Sequence, residues 1–288
     1  MGYGTWTQKD FADYSKRMNR TVAKDGSLAG SYTNQQLFQA RKIDPLLDPF
    51  SVTRECRDSE DHPNTLPVIL ALDVTGSMGQ AAVEVAKQLN VIMTGLYTKV
   101  KDVEFMVMGI GDLAYDRCPL QVTQFESDIR IAEQLDKLYF EFGGGGNSYE
   151  SYTAAWYFGT EHVKLDAWKR GQKGIIITMG DEGLNPYLPG ERLSEVTGRP
   201  LRADVETTEL YDRVLEKYDV YHLFVCHGGR QPEGYIRSWK ELMDDEHFKV
   251  TDIAGIADTI IRIVSARAES TAREGRIRTV EAMPEICW

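Results

Sequence analysis

The strongest constraint on the fold is a change of pattern that begins at Leu66. From there, short apolar runs alternate with longer stretches of helical periodicity, which is typical of a parallel sheet covered by helices on both faces. The fold class that this predicts is α/β, with a doubly wound, mostly parallel six-stranded sheet. Strands are expected at 67–73, 103–110, 120–125, 173–179, 219–226 and 248–251, and helices near 79–98, 128–139, 149–158, 205–217, 234–243 and 254–268.

The lengths of the connections predict how the strands pair. The second and third strands are joined only by Gly111–Pro119, whereas a parallel crossover needs about a dozen residues or more. We therefore expect this pair to be antiparallel and the other pairs to be parallel. The first helix follows the first strand directly, and Val85, Leu89 and Ile92 give it one apolar stripe at helical spacing.

The segments on either side of this pattern differ from it in character. Residues 1–65 are polar and interrupted by glycine and proline, with one predicted helix at 34–40. They also contain too many aromatic residues for a disordered tail, so we expect an N-terminal arm that packs on the following domain. We assign 66–268 to that domain and 269–288 to a charged C-terminal tail. The long connection 184–203 is a candidate lid or docking surface.

The composition argues against several classes of protein. The 288 residues include 33 Lys and Arg but 44 Asp and Glu, for a net charge of −11, whereas a binder of the nucleic-acid backbone presents a cationic surface. No apolar run approaches the ~20 residues that cross a bilayer, and the first residues do not resemble a secretory signal. Scattered cysteines without a C-x-x-C pair predict free thiols and no zinc site. We expect a cytoplasmic protein that binds neither nucleic acid nor membrane.

Oxygen-bearing side chains follow the first predicted strand. Asp73, Thr75 and Ser77 alternate in the sequence D-V-T-G-S, on a loop that opens a helix. In a doubly wound sheet, ligands bind beyond the carboxyl ends of the strands. A carboxylate with two hydroxyls, without thiolate or imidazole, suits a hard divalent cation, and Mg²⁺ best.

Two other segments are expected at the same edge of the sheet. The apolar run 173–179 ends in G-D-E, which places Asp181 opposite Asp73, with Glu182 beside it. A further loop has four consecutive glycines just before Asn147. Such a loop lets the backbone approach an ion closely.

Taken in order, the D-V-T-G-S-M motif, the glycine-rich loop and the strand ending in G-D-E resemble the von Willebrand factor type A domain and its metal-ion-dependent adhesion site. The resemblance covers about 66–268, and the chain looks like the prokaryotic intracellular members of this family. Their site takes a D-x-S-x-S motif from the first loop, a threonine from the second and an aspartate from the third. The positions that match are Asp73, Thr75, Ser77 and Asp181.

The second loop departs from the family pattern, because no threonine lies where the family has one. Asn147 or Ser148 is left to serve there, and we assign Asn147 to the metal. The resemblance implies a Mg²⁺ or Mn²⁺ ion with a coordination position open to a carboxylate of a partner protein. The residues expected to contact that partner are Gly76, Ser148, Glu182 and Asp112.

The resemblance implies a protein-binding module that is not an enzyme and works in a multiprotein assembly, for example one linked to an AAA+ ATPase or a signalling complex. Three alternatives stay open. Asp73 and Ser77 can simply cap the following helix, and the chain can be a scaffold with an inactive metal site. A Mg²⁺-dependent phosphohydrolase is disfavoured, because an aspartyl nucleophile needs a second acid where Thr75 stands and no P-loop is present.

Overall fold

Strands and helices alternate along the described residues, which in the computed structural model of the chain are 4–141, 149–226 and 232–281. The strands are β1 (Arg54–Cys56), β2 (Leu66–Asp73), β3 (Val103–Ile110), β4 (Leu120–Val122), β5 (Val163–Leu165), β6 (Gly174–Gly180), β7 (Tyr187–Leu188), β8 (Val205–Glu206), β9 (Tyr218–Cys226) and β10 (Phe248–Asp252). The helices are α1 (Gln8–Arg17), α2 (Asn34–Leu37), α3 (Gly79–Tyr97), α4 (Arg130–Leu135), α5 (Ala154–Glu161), α6 (Asp166–Lys169), α7 (Gly190–Thr197), α8 (Thr207–Leu215), α9 (Glu233–Lys240) and α10 (Ile256–Glu281).

A six-stranded sheet forms the centre of the fold, with the strand order β4-β3-β2-β6-β9-β10. Neighbouring strands are parallel except for β3 and β4, which are antiparallel. The predicted fold class and the antiparallel third strand are therefore confirmed. The strand order reverses at β2, which has β3 on one side and β6 on the other, and ligands bind at such a reversal in doubly wound sheets.

The sheet separates two apolar cores, because side chains alternate between its faces. Along β2, Val68, Leu70 and Leu72 lie in the core that α3 and α10 cover, whereas Ile69 and Ala71 lie in the core that α5 and α8 cover. Helices thus occupy both faces, and the near-continuous apolar character of β2 follows from burial on both sides.

The N-terminal arm packs on the α3 side of the sheet. The indole nitrogen of Trp6 donates a hydrogen bond of 2.9 Å to Asn90 on α3. Arg20 forms an ion pair with Asp136 at 2.7 Å, and both of these side chains are 10% exposed or less. Two helices lie in the arm, whereas the sequence predicted only α2.

The arm then crosses the β4 edge of the sheet. The backbone N–H of Val122, on β4, donates to the carbonyl oxygen of Leu47 at 2.8 Å. The guanidinium of Arg54 donates to the carbonyl oxygen of Val122 at 3.0 Å. The outward backbone groups of Val122 are satisfied in this way, and the arm continues into β1, which pairs with β5.

The connection 184–203 does not have the irregular structure that suggested a lid. It contains β7 and α7, and both Leu188 and Leu193 are buried in the second core. A Cβ atom on Gly190 would overlap the carbonyl group of Ala203. The segment is therefore packed as part of the domain.

Several predicted boundaries need correction. Helix α4 occupies only the middle of the predicted 128–139, and β4 ends before the predicted 125. The helix predicted at 149–158 begins at Ala154, because the preceding residues bond to neighbouring loops instead. Helix α10 continues to Glu281, into the segment predicted as a C-terminal tail. No helix among the described residues is long and apolar enough to span a membrane.

The cysteines that the structure describes agree with the predicted thiols. Cys56, Cys118 and Cys226 are not joined in disulfides, and Cys287 lies outside the described residues.

Candidate metal centre at the carboxyl edge of the sheet

Asp73 ends strand β2 and is 1% exposed. Its Oδ1 atom accepts two hydrogen bonds from Thr75, one from the backbone N–H at 2.9 Å and one from the hydroxyl at 2.6 Å. Short polar side chains commonly bond to backbone two residues on in this way. Since the Thr75 hydroxyl gives its proton to Asp73, the lone pairs of that hydroxyl remain available to a cation.

Ser77 connects this loop to the end of β6. Its Oγ atom lies 3.4 Å from the Oγ1 atom of Thr75 and donates a hydrogen bond of 3.1 Å to Oδ1 of Asp181. The four residues that match the family motif therefore form one cluster, in which Thr75 bonds to Asp73, Ser77 bonds to Asp181, and the two hydroxyl oxygens face each other with their protons already donated. Helix α3 begins two residues after Ser77, and the positive end of its dipole favours negative charge here.

Tyr152 reaches the same carboxylate from the segment before α5. Its hydroxyl donates a hydrogen bond of 2.8 Å to Oδ2 of Asp73 and accepts a longer one, of 3.4 Å, from the backbone N–H of Glu182. Burial raises the pKa of Tyr152 far above its ordinary value, so the hydroxyl keeps its proton. Both carboxylate oxygens of Asp73 thus have protein donors.

Glu150 brings a second buried carboxyl group to this edge. The residue is 6% exposed, and its Oε2 atom is buried without a hydrogen-bond partner. Burial, followed by the charges of Asp73 and Glu182, raises the pKa of Glu150 to about 10. A buried carboxyl with an unsatisfied oxygen is costly unless a cation or a donor is added.

Two neighbouring carboxyl groups are perturbed in the same direction. Burial raises the pKa of Asp73 to about 7, and the charge of Asp181 adds to this effect. Burial also raises the pKa of Glu182 to about 7, again with a contribution from Asp181. Because a nearby positive charge favours the ionised form of a carboxyl, a bound cation would lower all of these pKa values.

The loop after β3 forms an acidic rim beside these residues. The backbone N–H of Asp112 donates to Oδ2 of Asp116 at 2.7 Å, and the Oδ2 atom of Asp112 is buried without a partner. Burial raises the pKa of Asp116 to about 6. The backbone N–H of Ser151 donates to the carbonyl oxygen of Gly111 at 3.1 Å, which fastens this rim to the segment that carries Glu150.

The donor set fits a hard divalent cation. The structure brings the hydroxyls of Thr75 and Ser77 together with the carboxylate of Asp181, and Glu150, close enough for its charge to interact with that of Asp73, adds an unsatisfied carboxyl oxygen. Oxygen-only sets of this kind suit Mg²⁺ or Mn²⁺. Within the described ranges, no three His, Cys, Asp or Glu side chains form a metal-binding group by themselves, so a cation here would depend on the hydroxyls as well.

The remaining predicted site residues fall into two groups. Gly76 is exposed between the two hydroxyl residues, and Glu182 is half-buried beside Asp181. Asn147 and Ser148, assigned to the metal and to the partner, lie outside the described residues.

Sequence analysis did not single out Glu150 or Tyr152. The signal that could have found them is their spacing, since they alternate along the segment as Asp73 and Thr75 do along theirs.

Comparisons with known sequences give no relative. No protein-family model matches this chain, and no curated protein matches it.

Comparisons with solved structures give remote similarities. The pilus adhesin SpaC from Lactobacillus rhamnosus GG, in its open conformation, is 12% identical with a TM-score of 0.46, over 74% of this chain and 30% of its own. The vWF domain of the type V pili tip protein Mfa5 from Porphyromonas gingivalis is 10% identical with a TM-score of 0.44, over 72% of this chain and 96% of its own. Proximal thread matrix protein 1 from the mussel byssus is 12% identical with a TM-score of 0.41, over 70% and 46%. This chain thus spans about 30% of the length of SpaC.

Proposed function

We propose that the chain is a protein-binding module of the von Willebrand factor type A kind, which captures an acidic group of a partner protein through a divalent cation. The observation that carries this proposal is the cluster in which Thr75 bonds to Asp73, Ser77 bonds to Asp181, and the two hydroxyl oxygens lie 3.4 Å apart. It lies at the carboxyl ends of β2 and β6, where the strand order reverses and ligands of doubly wound sheets bind.

In this proposal the direct ligands come from two strand ends and a neighbouring segment. The hydroxyls of Thr75 and Ser77 and the carboxylates of Asp181 and Glu150 hold the cation, and Asp73 supplies charge through the Thr75 hydroxyl. The segment 143–151, with Asn147 and Ser148, contributes a further oxygen ligand and a partner contact. The bound Mg²⁺ or Mn²⁺ supplies a positive centre with a coordination position left for the partner's carboxylate.

The acidic rim explains why the partner would need the ion. Asp112, Asp116 and Glu182 surround the centre with negative charge, which repels an acidic partner when no cation is bound. Tyr115, 58% exposed on the same rim, offers an aromatic contact surface. The proposed partner contacts are Gly76, Ser148, Glu182 and Tyr115, whereas Asp112, predicted as a contact but only 3% exposed, acts through its charge.

We propose binding without catalysis. An aspartyl nucleophile needs a carboxylate oxygen directed at its substrate, but Asp73 is buried and both of its oxygens accept hydrogen bonds from the protein. We also propose a cytoplasmic location and a role in a multiprotein assembly, and both rest only on the family resemblance.

Calorimetric titration tests the proposal directly. The protein is stripped with EDTA and titrated with Mg²⁺ and with Mn²⁺, and binding of at least one ion is expected. Asp73→Asn preserves the side-chain shape and removes the charge, so it should weaken binding by at least tenfold. Asp13→Asn, the same change at an exposed position on α1, is the matched control and should bind normally.

Three results would contradict the proposal. Absence of heat with either ion would favour a scaffold with an inactive site. Mg²⁺-dependent hydrolysis of a generic aryl phosphate, lost in Asp73→Asn, would favour the phosphohydrolase instead. A pull-down that yields the same partners with Mg²⁺ and with EDTA would contradict cation-dependent capture.

A further inference from the structure

We propose that Tyr152 is a positioning residue of the candidate metal centre, whose hydroxyl keeps the second oxygen of Asp73 engaged and so withholds that carboxylate from direct contact with the cation. This inference rests on the proposed function, and it identifies a residue that sets how strongly the bound cation attracts a partner.

The hydrogen bonds of Asp73 carry the first step. Thr75 occupies Oδ1 with both its backbone N–H and its hydroxyl, at 2.9 and 2.6 Å. Tyr152 occupies Oδ2 at 2.8 Å. A hydrogen bond to a charged acceptor is stronger than one between neutral groups, so the carboxylate can turn toward a cation only by giving up a strong interaction.

The surroundings of Tyr152 fix the direction of its hydroxyl. Because Oη accepts from the backbone N–H of Glu182, its own proton points to Asp73. The ring lies against Gly180, where a Cβ atom would overlap the phenol. The ring centroid also lies 5.2 Å from that of His222 and 5.8 Å from that of Trp239. Tyr152 is thus held from several sides.

The same packing ties Tyr152 to the loop that carries Asp181. The indole nitrogen of Trp239, on α9, donates a hydrogen bond of 3.0 Å to the carbonyl oxygen of Glu182. The backbone N–H of Glu182 therefore bonds to Tyr152, and its backbone carbonyl bonds to Trp239. Tyr152 therefore bonds directly to the side chain of Asp73. It also positions Asp181 indirectly, because it bonds to the backbone of Glu182, the next residue.

The charge balance gives the functional consequence. Asp181 and Glu150, once ionised, balance the charge of a dication. A third direct carboxylate from Asp73 would make the centre negative, and an incoming carboxylate would be repelled. By holding Asp73 back, Tyr152 leaves the centre neutral and keeps one more coordination position for water or for a partner.

Tyr152→Phe tests this inference, because it keeps the ring and removes only the hydroxyl. Tyr218→Phe is the matched control, since Tyr218 is also fully buried and its hydroxyl donates a hydrogen bond of 3.0 Å to Gly159. Tyr218 begins β9, at the opposite end of the sheet from the metal centre. The probe is Mn²⁺ alone, with free ion measured by electron paramagnetic resonance and coordinated water counted by water-proton relaxation.

We expect Tyr152→Phe to bind Mn²⁺ about tenfold more tightly than the wild type, because Asp73 is released to the ion. It should also hold fewer coordinated waters, and acetate should displace water from it less readily. Tyr218→Phe should match the wild type in all three measurements. Thermal unfolding in EDTA reports the purely structural effect of each change.

The outcomes separate this inference from the proposed function. If the wild type binds Mn²⁺ but Tyr152→Phe shows equal or weaker binding with unchanged hydration, Tyr152 is structural only and the inference is wrong. If the wild type binds no Mn²⁺, the proposed function fails first. If Tyr152→Phe does not fold, the number of coordinated waters in Asp73→Asn tests the inference instead. Loss of a residue that does not touch the ion leaves that number unchanged. A changed number would overturn the inference.

Discussion

The hydroxyl of Ser77 donates a hydrogen bond of 3.1 Å to Oδ1 of Asp181, although the two residues are 104 positions apart in the sequence. The contact forms because β2 and β6 are parallel neighbours, so that their carboxyl ends meet at one edge. The candidate metal centre is thus a product of the completed sheet and has no counterpart in the unfolded chain.

The affinity for a divalent cation should rise with pH through about 7. Burial raises the pKa of Asp73 to about 7 and that of Glu150 to about 10, and a cation favours the ionised carboxylates, so protons and cation compete. Below pH 7 the affinity should fall by up to about tenfold per pH unit for each proton displaced. Calorimetry in buffers of different ionisation enthalpy measures the proton release, and an affinity that is constant from pH 5 to pH 8 would contradict this prediction.

The metal-free protein should lose stability as the pH rises. Folding raises the pKa of Asp73 from 3.8 to about 7, so the folded state holds its proton more tightly and the stabilisation present at low pH is lost between those values. For a fully buried group this amounts to roughly 4 kcal/mol. Denaturant unfolding in EDTA should show a smaller decline from pH 4 to pH 7 for Asp73→Asn than for the wild type. Equal declines would argue against a raised pKa of Asp73 in the folded protein.

Gly180→Ala should destabilise the protein and disturb the metal centre. A Cβ atom at this position would overlap the phenol of Tyr152, and overpacking of a core costs about 1–3 kcal/mol. Gly234→Ala is the control, since no atom lies within 4 Å of a Cβ atom there. It should be neutral or slightly stabilising in thermal unfolding, because Gly234 lies in helix α9. Equal melting temperatures for the two variants would contradict the close contact.

Arg20→Met should destabilise the contact between the arm and the domain. Arg20 and Asp136 form a buried ion pair, and removal of one partner leaves an uncompensated charge that costs about 3–5 kcal/mol. Arg17→Met removes an exposed pair with Glu133, separated by 3.7 Å, and should cost less than about 1 kcal/mol. Denaturant unfolding measures both, and similar losses would show that burial of the first pair has little effect.

The central sheet could be predicted because its strands carry a local signal. Strand β3 matches its predicted bounds, since every residue in Val103–Ile110 is buried and the run is almost wholly apolar. Strand β4 is shorter than predicted because the side chain of Thr123, at 2.8 Å, accepts the N–H of Val107. Helix α1 was missed because only Phe11 and Tyr14 give it an apolar side, and the hydroxyl of Tyr14 bonds to Asp136, 122 positions away in the sequence.

The site shows the same division between local and distant signals. Asp73, Thr75 and Ser77 could be predicted because they follow one another on a single loop. The role of Tyr152 could not, because it depends on a hydrogen bond across 79 residues and on the space that Gly180 leaves. Such a relation exists only once the segment before α5 has been placed against the sheet.

The covering of β4 by the arm restricts how copies of this chain can associate. Leu47 and Arg54 satisfy the outward backbone groups of Val122, whereas among the described residues β10 has a neighbouring strand only on its β9 side. A β-sheet that continues from copy to copy needs two accessible edge strands on every copy, one for each neighbour. Within the described residues the central sheet leaves one such edge, at β10, so strand pairing through this sheet joins copies in twofold pairs and does not extend into a filament.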